Sequence, residues 1–111
     1  MLRGAAAEAR VVAELQTLGW SLHATNWRGG GGELDAVVER AGRLRFVEVK
    51  LRERDDPLAD EAVTASKRTR LRRAARLWLT ARGEPEREVC FMVALVDHQG
   101  VIDWIDDAFD G

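Results

Sequence analysis

The sequence predicts an α/β fold in which a mixed central sheet of about five strands is flanked by helices. Three observations predict it. Along the chain the elements read helix, three strands, helix, two strands. Two runs rich in Val, Leu and Phe, residues 34–39 and 44–51, meet at an Ala41-Gly42 step that suits an antiparallel hairpin. After the second helix comes a nearly all-apolar run, residues 89–96, of the kind buried on both faces of a sheet. A right-handed crossover through that helix would place it centrally.

Each element has its own signal. Residues 4–18 are dominated by Ala, Glu and Leu, the strongest helix formers, and Gly19 offers a stop. Ala5, Val12 and Leu15 step by three or four residues and Glu8 falls on the same stripe, so this helix carries a carboxylate on its inner side that needs a partner. Trp20, Leu22 and Ala24 alternate with polar residues as a half-buried strand does, and residues 28–32, with four successive glycines, read as a flexible loop. Residues 52–60 mix charges with Pro57 and read as another loop. Thr64 or Ser66 can cap a second helix that runs to about Arg82, where Gly83 and Pro85 end it. Its inner stripe is Leu71, Ala74, Ala75 and Trp78, extended by Lys67 four residues earlier. Residues 101–105 form a short last strand.

At 111 residues the chain suits one domain over residues 1–111. A hydrophobic fraction of 46% and a charged fraction of 32% are those of a globule, and no apolar run is long enough for a membrane span. The first ten residues lack the apolar stretch of a secretory signal, and one cysteine, Cys90, permits neither an internal disulfide nor a Cys-based zinc site. A cytoplasmic protein is the expectation. The net charge is −2 but unevenly spread: Lys67, Arg68, Arg70, Arg72, Arg73 and Arg76 form an acid-free run, and five aspartates occupy the last fifteen residues. Lys50 and Lys67 are the only lysines among the 17 basic residues.

The hairpin carries the chemistry. A two-residue turn at Ala41-Gly42 sets Asp35 opposite Glu48 and Glu33 opposite Lys50, all on one face with Phe46, because strand side chains alternate. Two carboxylates directly opposite repel each other, and a hard divalent cation removes the conflict. Mg²⁺ takes one or two carboxylates together with water and phosphate oxygens, and Lys50 would stand beside the attacking water. The plainer reading, a solvated charged face with Glu33 and Lys50 as an ordinary ion pair, stands beside it. Against that reading are Phe46 on the same face, the rarity of lysine, and Glu8 as a third inward acid.

Gly32-Glu33-Leu34-Asp35, then Phe46-Val47-Glu48-Val49-Lys50-Leu51-Arg52, then Ala62-Val63-Thr64 with Lys67 opening a basic helix, resembles the YraN-like family of bacterial proteins. That family is similar to the restriction-endonuclease-like, PD-(D/E)xK nucleases and to archaeal Holliday-junction resolvases. The likeness runs from about Gly4 to Phe109. It implies a restriction-endonuclease-like fold, Asp35 and Glu48 as ligands of Mg²⁺ or Mn²⁺ with the Val49 carbonyl a further candidate, Lys50 as catalytic lysine, and Glu8 and Lys67 lining the site. Two departures stand out. Leu34 replaces a proline, and Cys90-Phe91-Met92-Val93 stands where the pattern has Arg-Phe-Asp-Val, which removes an acid and a base.

The function expected is a metal-dependent endonuclease acting on nucleic acid, DNA before RNA. Arg28, Lys67, Arg68, Arg70, Arg72 and Arg73 would meet the phosphates, and a homodimer would cut two strands. The alternative is a non-catalytic nucleic-acid-binding or protein-interaction module on the same fold. Trp20, Trp27, Trp78 and Trp104 read as core or rim, Cys90 as a small buried hydrophobe, and His23 and His98 match no metal pattern. The glycine run reads as a connection or a backbone nest for an anion.

Overall fold

The computed structural model describes residues 4–52 and 64–110. Helix α1, Gly4–Thr17, precedes three antiparallel strands: β1, Ser21–Gly29, β2, Gly32–Arg40, and β3, Arg43–Leu51. Helix α2, Ala65–Arg82, then leads to β4, Cys90–Val96, parallel to β3, and β5, Ile102–Asp110, runs antiparallel to β4. The sheet order is β1-β2-β3-β4-β5, so the expected mixed five-stranded sheet flanked by helices is present. The loop expected over residues 52–60 falls almost wholly outside the described residues, as do Ala62 and Val63 of the motif.

Both helices cover the sheet, one on each face. Leu71, Ala74, Ala75, Trp78 and Leu79 of α2 pack on Leu34, Val37, Leu44, Phe46, Phe91, Val93 and Leu95, and Ala7, Val11 and Leu15 of α1 pack on Ala36, Val38, Val47, Met92, Ala94 and Val96. Removing such apolar side chains from water is the main term holding the layers together, about 25 cal/mol per Å² of apolar surface. The side chain of Thr64 accepts the Lys67 backbone N–H at 3.2 Å to start α2, and Gly83, at φ 82, ends it by donating to the Thr80 carbonyl at 3.0 Å.

Several expectations need correction. The glycine run is no loose loop: Gly29 and Gly32 close a hairpin whose turn, Gly30 and Gly31, has φ of 60 and 81. A two-residue turn with both φ positive matches the twist of the strands it joins. A Cβ on Gly29 would lie 2.7 Å from the Trp27 ring, on Gly30 2.6 Å from Arg73, and on Gly32 against the Arg70 carbonyl, so the glycines let this hairpin end lie directly on α2. The buried stripe of α1 is Ala7, Val11 and Leu15; Ala5 is exposed and Glu8 sits on its border, because an alanine-rich helix leaves its phase open. Strand β4 lies between β3 and β5, and β3 takes the central place. The last strand continues to Asp110 instead of ending at residue 105.

Candidate active site

Antiparallel pairing of β2 with β3 holds from Arg40↔Arg43 to Ala36↔Val47, the register expected from the Ala41-Gly42 turn. One residue further the strands change their relation. The Asp35 carboxylate accepts the backbone N–H of Val49 at 2.8 Å, and Asp35 also meets the Glu48 carboxyl, which donates to it when protonated. Asp35 and Glu48 are therefore together, as expected. Glu33 is not opposite Lys50: it lies 3.7 Å from the guanidinium of Arg28, because the ladder ends before reaching it.

The cause is a break in alternation. Leu34 packs on the α2 side and Ala36 on the α1 side, although residues two apart normally share a face. On β1, Trp27 and Ala24 both meet the α2 side, an odd spacing. The pairs Trp27↔Leu34 and Thr25↔Ala36 bracket positions 26 and 35, and Asn26 has φ 50, a left-handed conformation that asparagine tolerates better than most residues. Asp35 thus stands where the strand changes face. It lines a cavity of about 220 Å³ with Gly31, Glu33, Glu48, Lys67 and Arg70, and another of about 360 Å³ with Ala5, Glu8, Val12, Thr25 and Asn26.

Glu48 follows Phe46 on the face beneath α2 and is only 4% exposed. The Lys67 ammonium, on the first turn of α2, lies 2.5 Å from Glu48 Oε1. Burial pushes the Glu48 carboxyl up to about 7, the charge of Asp35 adds to the rise, and Lys67 opposes it. Burial also raises Asp35, against the Val49 N–H, which favours its charged form. Glu8 is raised by burial first and then by Asp35 and Glu33. Two inward carboxylates with one ammonium between them form an acidic centre short of positive charge, and oxygen ligands of this kind suit a hard cation. Among the described residues no group of three or more His, Cys, Asp or Glu is placed to hold a metal ion, so an ion at Asp35 and Glu48 would have only these two side chains and would need water and phosphate oxygens for the rest of its coordination sphere.

The remaining expected residues divide. Lys50 is exposed, two residues beyond Glu48, and lines neither cavity. Helical periodicity splits the basic run: Arg70 lines the cavity of the carboxylates and Arg73 donates to the Gly30 carbonyl at 3.2 Å. Arg68 and Arg72 lie over the Phe109 ring at 5.4 and 5.8 Å, away from the centre. Asn26, which lines the second cavity, has no signal in the sequence, since a lone asparagine between Thr25 and Trp27 carries no pattern of its own. A cavity of about 400 Å³ at the opposite end of the sheet is lined by Arg43, Arg45, Arg87 and Cys90, but Arg45 is held by Asp106 at 2.7 Å and Arg87 by Glu39 and Glu84. Trp20 and Trp78 are buried and Trp27 and Trp104 half-buried, so all four serve packing. No helix among the described residues is long and apolar enough to cross a membrane.

Comparison with known proteins matches residues 7–97 to the uncharacterised protein family UPF0102. A UPF0102 protein of Nitratidesulfovibrio vulgaris is 40% identical over 93% of this chain and 80% of its own length. One from Gloeobacter violaceus is 44% identical over 95% of this chain and 90% of its own, and one from Nocardia farcinica 38% identical over 96% and 87%.

Proposed function

The chain belongs to the uncharacterised protein family UPF0102, and we propose that it is a metal-dependent nuclease of the PD-(D/E)xK kind that hydrolyses DNA phosphodiester bonds at the Asp35–Glu48 centre. One observation carries the reading: two inward carboxylates in contact, both raised by burial, at the base of a cavity rimmed by Lys67 and Arg70. An ordinary sheet avoids such a pair, since like charges directly opposite destabilise it. Oxygen donors, too few to form a cage, fit Mg²⁺ or Mn²⁺ held by Asp35 and Glu48 together with water. Held by Asp35 and Glu48, a divalent ion would offset both negative charges and would supply a water that is a stronger nucleophile toward phosphorus.

The chain's own groups supply the rest. Val49 N–H fixes the Asp35 carboxylate through the 2.8 Å bond. Arg70 and Arg28, on either side of the glycine hairpin, neutralise phosphates on the approach, and Lys67 balances Glu48 until substrate arrives. Lys50, exposed and on the strand of Glu48, is free to turn toward the scissile phosphate and stabilise charge on its oxygens. A homodimer with two such centres fits cleavage of both strands.

A second reading has its own support. The 2.5 Å contact between Lys67 and Glu48 closes the centre with an internal cation, and Lys50 stands apart from it, as a non-catalytic nucleic-acid-binding module would have it. Incubation of the protein with branched, duplex and single-stranded DNA in Mn²⁺ separates the two. The nuclease reading expects cleavage that is lost in Asp35→Ala and in Lys50→Ala. Salt-sensitive binding with no cleavage of any substrate supports the module instead.

A further inference from the structure

We infer that Asn26 is a positioning residue that ties the Glu8 carboxylate of α1 to the Asp35 centre. The inference rests on the proposed reading of Asp35 and Glu48, and adds to it the residue that joins the α1 side of the sheet to the site. Three carboxylates, Glu8, Glu33 and Asp35, come together around Asn26 from α1 and β2, and their charges repel. With its amide nitrogen facing them, Asn26 donates to Glu8 Oε2 at 3.0 Å and to Glu33 Oε1 at 3.3 Å. The opposite orientation would set the amide oxygen against acceptors. A neutral donor with two N–H groups satisfies two acids at once, which neither an acid nor an aliphatic side chain can do.

The backbone of Asn26 contributes separately. Its φ of 50 in mid-strand turns β1 over at the position facing Asp35, so that Asp35 borders both cavities and stands between Glu8 and Glu48. Asparagine is suited to both tasks, since it tolerates the left-handed region and carries an amide. Glycine would keep the first and lose the second. Aspartate would keep the shape and oppose both acids.

The test is an exchange of amide and acid between positions 26 and 8. In metal-free protein Asn26→Asp should lower the melting temperature by about 5 °C, on the scale of one to two like-charge contacts. Adding Glu8→Gln, which returns an amide donor to face the new carboxylate, should recover most of that loss. Asn26→Gly should fold, since glycine takes the left-handed backbone freely, and should weaken Mn²⁺ binding about as much as Glu8→Gln does, with no further loss when the two are combined. If the exchanged pair melts no higher than Asn26→Asp alone, or if the Asn26→Gly and Glu8→Gln effects on Mn²⁺ simply add, Asn26 is not acting through Glu8. Should the unaltered protein bind no Mn²⁺, the metal reading of the site falls, and the melting exchange still decides the bridge.

Discussion

Replacing Glu48 with glutamine should stabilise the metal-free protein at alkaline pH while leaving it almost unchanged in acid. Glu48 is 4% exposed and titrates near 7 in place of 4.5, so between those values the folded state binds a proton that the unfolded chain has released. Stability therefore falls as pH rises through that window and stays low above it. At about 1.4 kcal/mol for each tenfold change in protonation, holding the carboxylate ionised at pH 8 costs about 3 kcal/mol. That is a large share of the stability of a small domain. Glutamine keeps the shape, carries no charge, and retains an oxygen for Lys67. Denaturant unfolding in the presence of a chelator, at pH 5 and at pH 8, reads the difference. The unaltered protein should lose about 2–3 kcal/mol between the two, or roughly 10 °C in melting temperature, and Glu48→Gln should lose little. If Glu48→Gln is instead strongly destabilised at pH 8, Glu48 serves as the buried half of an ion pair with Lys67, and the acidic centre is structural.

Three further outcomes follow from the geometry. Gly32→Ala should destabilise by about 1–3 kcal/mol, as overpacking does, because its Cβ meets the Arg70 backbone, and thermal unfolding should show it clearly less stable than Gly31→Ala, where the added Cβ meets nothing within 4 Å and only the φ of 81 opposes it. Arg70→Ala should weaken DNA binding and reduce its salt dependence by about one counterion, whereas Arg72→Ala, at a residue stacked over Phe109, should show more in thermal unfolding than in the salt slope. Asp35→Asn should lower Mn²⁺ affinity in a calorimetric titration while leaving or slightly raising apo stability, by about 0.2–1 kcal/mol on the scale of like-charge strand pairs.

Much of the fold was legible because periodicity and turn chemistry are local. Gly83 and the Ala41-Gly42 turn end their elements where residue type places them, Thr64 is one of the two caps the sequence offers for α2, and the hairpin register up to Ala36↔Val47, next to Asp35 and Glu48, follows from that turn. Lys67 reached the site because it lies one turn before Leu71 on the buried stripe of α2. What failed was whatever depends on contact between elements. The glycine run looks flexible in isolation and is tight only because α2 lies against it. The phase of α1 cannot be set among alanines, and its buried stripe, Ala7, Val11 and Leu15, lies part of a turn from the one that Ala5, Val12 and Leu15 suggest. The change of face at Asn26 and Asp35 has no periodic signature, and with it went the expected Glu33–Lys50 pair.

Whether Asp35 and Glu48 form a metal centre is decided by calorimetric titration of the folded protein with Mn²⁺ at pH 6.5 in two buffers of different ionisation heat. Glu48 titrates near 7, so a good part of the population carries a proton there that a cation must displace. A metal centre there gives one binding event per chain with proton release, lost in Asp35→Ala and weakened, with no proton release, in Glu48→Gln. No binding heat in either buffer, or binding that persists unchanged in Asp35→Ala, would contradict it.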